Sequence, residues 1–153
     1  MKKLLPILIL TILIISSTSA QAGKGRVNVA VSPAPPALSM SIGFEEPSGN
    51  NMLDAAETGK LVVTVKNSGR GDAFDCQVQI VAAKQIRGLR FNREVSFGTI
   101  PAGETRVMEI PLTADEEIPT DTAALTIALK EANGFDPAPV KLAFDTKAFA
   151  EPK

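Results

Sequence analysis

One stretch of the chain is spaced for cation chemistry: Glu46-Pro47-Ser48-Gly49-Asn50-Asn51-Met52-Leu53-Asp54-Ala55-Ala56-Glu57. On the calcium-loop pattern, Glu46, Ser48 and Asn50 take alternating oxygen positions and Met52 offers a backbone carbonyl. Leu53 is the apolar plug, Asp54 a water-mediated ligand and Glu57 the bidentate closer. A hard cation needs this many oxygens converging from one compact loop, because it replaces most of its hydration shell with them. The pattern departs from the ideal in three ways. Glu46 stands where Asp is usual, Asn51 occupies the tight position normally given to Gly, and the flanks read as strands rather than helices. Asn tolerates the left-handed conformation required there. The other reading is a metal-free connection whose Asn, Ser and Asp side chains cap their own backbone.

Three further groups carry chemical meaning. Arg70-Gly71-Asp72 spells the tripeptide with which some adhesion ligands engage integrins, while its residues also suit a turn, Gly69 and Gly71 supplying positive φ and Asp72 bonding nearby N–H groups. Lys84, Arg87, Arg90 and Arg93 recur at every third position, as an anion-binding stripe or a solvated surface. The acids Glu45/Glu46 and Asp115/Glu116/Glu117 are the candidate carboxylates for hydrolysis, but acid-base glycoside cleavage needs a pair facing each other across a cleft, and loop neighbours do not make one. The 153-residue chain has no His, Trp or Tyr, which removes imidazole general bases, Ser-His and Cys-His nucleophiles and ordinary zinc or haem ligation. The expectation is a protein without catalysis of its own.

The elements that must position these groups follow from patterning. Residues 1–22 carry Lys2 and Lys3, an apolar run from Leu4 to Ile15 and the small-x-small end Ala20-Gln21-Ala22, and read as a secretory signal peptide cleaved after Ala22. The apolar run is too short for a stable membrane span. Without Lys2 and Lys3, 14 basic residues face 17 acidic ones, for a net charge of −3, which argues against nucleic-acid binding. The single Cys76 closes no internal disulfide and sits on an apolar strand face, so a buried, inert thiol is expected. Residues 23–37 read as a flexible Gly/Pro-rich arm, with Val27-Asn28-Val29-Ala30-Val31 as the part that could instead form a loosely paired edge strand, and 151–153 as a tail. Between them, period-2 alternation marks seven strands: 38–44, 61–65, 74–80, 95–100, 106–112, 123–129 and 140–146. Gly88 leaves at most a short helix within 84–93. Seven short strands separated by turn residues imply an all-β, immunoglobulin-like antiparallel β-sandwich over residues 38–150.

The motifs Leu53-Asp54-Ala55-Ala56-Glu57-Thr58-Gly59-Lys60-Leu61, Val65-Lys66-Asn67-Ser68-Gly69-Arg70-Gly71-Asp72-Ala73 and Gly98-Thr99-Ile100-Pro101-Ala102-Gly103-Glu104 resemble the immunoglobulin-like modules of exported bacterial proteins, similar to the cell-adhesion-related bacterial domain. The resemblance covers about residues 38–150 and implies a periplasmic or secreted module of the cell envelope. It would act by binding or assembly with a protein partner, through an exposed sheet edge, Phe-bearing loops and the arm. The alternatives are a calcium-stabilised structural module and an accessory domain to an enzyme on a separate chain.

Overall fold

The computed structural model describes residues 34–150; the signal segment, most of the arm and the tail lie outside the described residues. Among the described residues there are nine strands: β1 (Leu38–Glu45), β2 (Met52–Asp54), β3 (Thr58–Asn67), β4 (Ala73–Ala82), β5 (Leu89–Phe91), β6 (Glu94–Ile100), β7 (Thr105–Ala114), β8 (Asp121–Lys130) and β9 (Val140–Lys147). They form two sheets, ordered β1-β3-β7-β5 and β2-β9-β8-β4-β6. Each of the seven strands read from the sequence is found, and the long strands β3, β4 and β8 alternate between core and solvent except at Phe74-Asp75 in β4, where an irregularity leaves both residues exposed. Leu61, Val63, Val65, Ile110 and Leu112 face Val78, Ile80, Leu125, Ile127 and Leu129 in one apolar layer. Burial of that layer is the main stabilising term, at roughly 25 cal/mol per Å² removed from water.

Two strands were not read from the sequence. β2 and β5 are three residues long, too short for an alternating pattern to register. β2 pairs in parallel with β9, so the five-stranded sheet is mixed rather than antiparallel. The 84–93 segment holds β5 and turns, with no helix among the described residues. None of these residues forms a helix long and apolar enough to cross a membrane.

Two corners are fixed by polar side chains. Asn67 is fully buried. Its Oδ1 accepts the N–H of Ala37 and of Gly69, and its Nδ2 donates to the carbonyls of Gly71 and Ile100. At the end of β8, the buried Glu131 carboxylate accepts the N–H groups of Phe74 at 2.9 Å and Asn133 at 2.7 Å, with Phe135 at 3.3 Å. Burial pushes its pKa up, but these donors outweigh it and hold the carboxyl below the ordinary Glu value.

Candidate functional site

The oxygen-rich loop is gathered in one place, with its carboxylates turned onto its own backbone. Glu46 Oε1 accepts the N–H of Asn51 at 2.7 Å, and Oε2 accepts the Ser48 hydroxyl at 2.7 Å and the N–H of Gly49 at 2.8 Å. The Ser48 hydrogen bond, with these N–H donors, holds Glu46 below the usual carboxylate range. Glu57 accepts the N–H of Ser48 and of Asp54, Asn50 Oδ1 accepts that of Met52, and Asn50 Nδ2 donates to Asp54 Oδ2. Leu53 is fully buried, and Asn51 takes the left-handed conformation at φ 59°. Asp54 Oδ1 is buried without a hydrogen-bond partner. Among the described residues, no group of three or more His, Cys, Asp or Glu is arranged to hold a metal ion. The oxygens suit a hard cation by type, but most of them already accept a proton donor.

The Arg70-Gly71-Asp72 turn corrects one detail of the sequence reading. Gly69 and Gly71 are absent from the positive-φ positions; they are needed because the chain entering β1 crosses close above them. A Cβ on Gly71 would run into the Ala34 carbonyl, and one on Gly69 into Pro35, Pro36 and Ala37. The last arm residues are therefore bonded into the domain: Ser68 N–H donates to the Ala37 carbonyl at 2.9 Å and Gly71 N–H to that of Pro35 at 3.3 Å. Asp72 reaches the next turn, accepting Ala102 N–H at 3.0 Å. Beside this turn lies an open groove of about 930 Å³ bordered by Pro35, Arg70, Phe74, Asn133 and Phe135.

The basic stripe is dispersed among acids. Lys84 pairs with Asp121 at 2.7 Å, Arg87 with Glu117 at 3.8 Å and Arg90 with Asp115 at 3.2 Å, so three of the four stripe residues and two of the acidic trio are taken up in exposed pairs of small energetic value. Glu45 and Glu46 are engaged separately, the first with Lys60 at 3.2 Å and the second in the loop described above. Cys76 is buried, and burial pushes its thiol up to about 11, so it stays protonated and unreactive.

The feature that remains is backbone. Among the described residues, β1 is the outermost strand of its sheet, and it pairs in unbroken antiparallel register with β3, from Leu38↔Asn67 to Glu45↔Lys60. Residues facing each other across such a pair alternate between bonding one another and turning their polar groups away. Ala37 and Ser68, one step beyond the register, bond to each other. On the far side of β3, Glu57 and Asn67 bond toward β7, through Ala114 N–H to Glu57 C=O and Asn67 N–H to Glu104 C=O. Both observations set the same phase: Ser39, Ser41, Gly43 and Glu45 bond β3, while the N–H and C=O groups of Leu38, Met40, Ile42 and Phe44 point outward along the edge. The strand LSMSIGFE contains no Pro, no Lys and no bulge, the devices that ordinarily block an edge. Patterning marked an edge as a contact surface but did not say which strand would be outermost.

No family model matches the chain, and no curated protein matches its sequence. Solved structures are similar in fold. One is a CARDB domain from Pyrococcus furiosus, solved in complex with di-metal ions, at 11% identity and TM-score 0.54 over 74% of this chain and 96% of that one. Another is a FixG-related protein from Vibrio parahaemolyticus, at 15% identity and TM-score 0.50 over 76% of this chain and 98% of that one. A third is AvmM, which catalyses macrocyclization in alchivemycin A biosynthesis, at 10% identity and TM-score 0.50 over 74% of this chain and 91% of that one. At such identities the likeness speaks for the all-β fold alone, and one fold hosts unrelated activities.

Proposed function

We propose that the chain is an exported, non-catalytic module of the bacterial cell envelope, immunoglobulin-like in type, that binds or assembles with a protein partner by accepting an extended strand on β1. The observation that carries this reading is the unguarded edge, whose outward N–H and C=O groups match the main-chain pattern of an added strand. Export is supported by the Lys2-Lys3 start, the apolar run and Ala20-Gln21-Ala22. The immunoglobulin-like reading is supported by the two-sheet arrangement and the likeness to the CARDB domain. A photoreactive side chain at Ser41 tests it in native cells. Crosslinking to an envelope protein that is lost in Ile42→Pro and kept in Ile42→Ala supports strand addition; crosslinking equal in both variants contradicts it.

A calcium-stabilised module is the second reading, favoured by the buried, unpartnered Asp54 Oδ1 and by the metal-bound state of the CARDB domain above. Calcium would have to displace N–H donors from Glu46 and Glu57. A rise in Tm at millimolar calcium that disappears in Glu57→Ala supports it; an unchanged Tm removes it.

A further inference from the structure

Resting on the reading that β1 accepts a strand, we propose that the strand it accepts is β1 of a second copy of this chain, antiparallel about a two-fold axis at Ser41. The outward groups belong to Leu38, Met40, Ile42 and Phe44, and a self-pair must set these residues opposite one another. With Ser41 facing Ser41 of the other copy, Leu38 meets Phe44 and Met40 meets Ile42, so every outward N–H on both strands finds a carbonyl. Sliding by one pair would set Leu38 against Glu46, which has left the strand, since β1 ends at Glu45. The side chains agree with this register. The half-buried apolar residues face each other on the inner side, and Ser39 meets Gly43 on the outer side.

The charge pattern selects the direction. Glu45 is the only charged residue of β1, and it stands at one end. Antiparallel pairing places the two Glu45 side chains at opposite ends, each facing Ala37; parallel pairing in register would set them side by side. A two-fold contact is also self-limiting, because each copy uses the same edge and a closed pair leaves neither β1 free.

Cysteine pairing tests the register. Residues opposite at Ser41 fall at a non-hydrogen-bonded position, where Cα atoms approach within about 4.5 Å, close enough for a disulfide. Ser41→Cys in mild oxidant should form a covalent dimer, and a mixture of Ser39→Cys with Gly43→Cys should do the same, while Ser39→Cys alone forms no covalent dimer. Gly43 accepts a Cβ at ordinary contact distance, 3.7 Å from Val62, and the native Cys76 is buried and gives no background. Wild-type protein should sediment at twice the monomer mass when concentrated and Ile42→Pro at the monomer mass. Ser41→Cys dimerising no faster than Ser39→Cys, or wild type remaining monomeric at every concentration, overturns the proposal. If photoreactive Ser41 then still captures an envelope protein in the proline-sensitive manner described above, self-pairing alone is refuted and strand acceptance stands; if it does not, both are refuted.

Discussion

β1 and β6 are both edge strands of the same molecule, and they are built to opposite specifications. β6 is bent: its pairing with β4 shifts register twice, Asp75 on the partner strand lies at φ 46°, and Gly98 lies at φ 64°. The Phe97 carbonyl is taken by the Arg106 guanidinium at 2.9 Å, from a strand of the opposite sheet. β1 has unbroken register, no bulge and no charge before Glu45. The contrast is what supports the proposal that β1 receives a strand, because an unguarded edge is otherwise an aggregation hazard.

The sharpest way to break the comparison is proline. Replacing Ser41 removes an N–H that bonds β3, whereas replacing Ile42 removes one that faces outward. Measured against alanine at the same site, proline at 41 should cost about 2 to 3 kcal/mol in chemical denaturation, as a lost ladder bond and strand distortion require. At 42 the same increment should stay below about 1 kcal/mol, on the tolerance of edges for proline. Equal costs would mean that the phase assigned to β1 is wrong.

The guarded side depends on contacts between distant segments, and Glu131 is the clearest of them. Its carboxylate fixes the start of β4, the strand on which β6 lies. Glu131→Ala should destabilise by about 2 to 3 kcal/mol, because buried N–H groups lose a charged acceptor. Its folded pKa is lowered, so its contribution is complete above the unfolded value of about 4.3 and is lost as pH falls through the lower folded value. The stability gap between wild type and Glu131→Gln should therefore close in acid below about pH 4, as read from Tm against pH.

Smaller effects sharpen the contrast. Arg106→Ala should lower stability by about 1 kcal/mol and increase association through β6, seen as faster light-scattering growth on warming. Ala56, in the loop after β2, is a non-glycine residue at φ 62°. Ala56→Gly should raise stability by about 1 kcal/mol while leaving dimer formation by Ser41→Cys unchanged.

The long strands were legible because each alternates over enough residues to mark a buried face, as Leu38, Met40, Ile42 and Phe44 do in β1. The loop of residues 46–57 was legible in its local chemistry, since Glu46, Ser48 and Asn50 bond partners within a few positions and Asn51 announces its own conformation. The roles of Asn67 and Glu131 were not legible. Asn67 joins Ala37, Gly71 and Ile100, and Glu131 reaches Phe74, so their partners become neighbours only once the sheets have formed. The spacing of Gly69 and Gly71 pointed to backbone freedom, whereas the crossing of residues 34–37 is the cause, and that crossing is a tertiary event.

Amide hydrogen exchange along β1 tests the central claim most directly. In dilute monomer, the N–H groups of Met40 and Ile42 should exchange quickly while those of Ser41 and Gly43 are protected by β3, and concentration into the assembled state should protect Met40 and Ile42 as well. Slow exchange at Met40 and Ile42 in the monomer, or no added protection on assembly, would contradict the assignment of β1 as the edge that receives a strand.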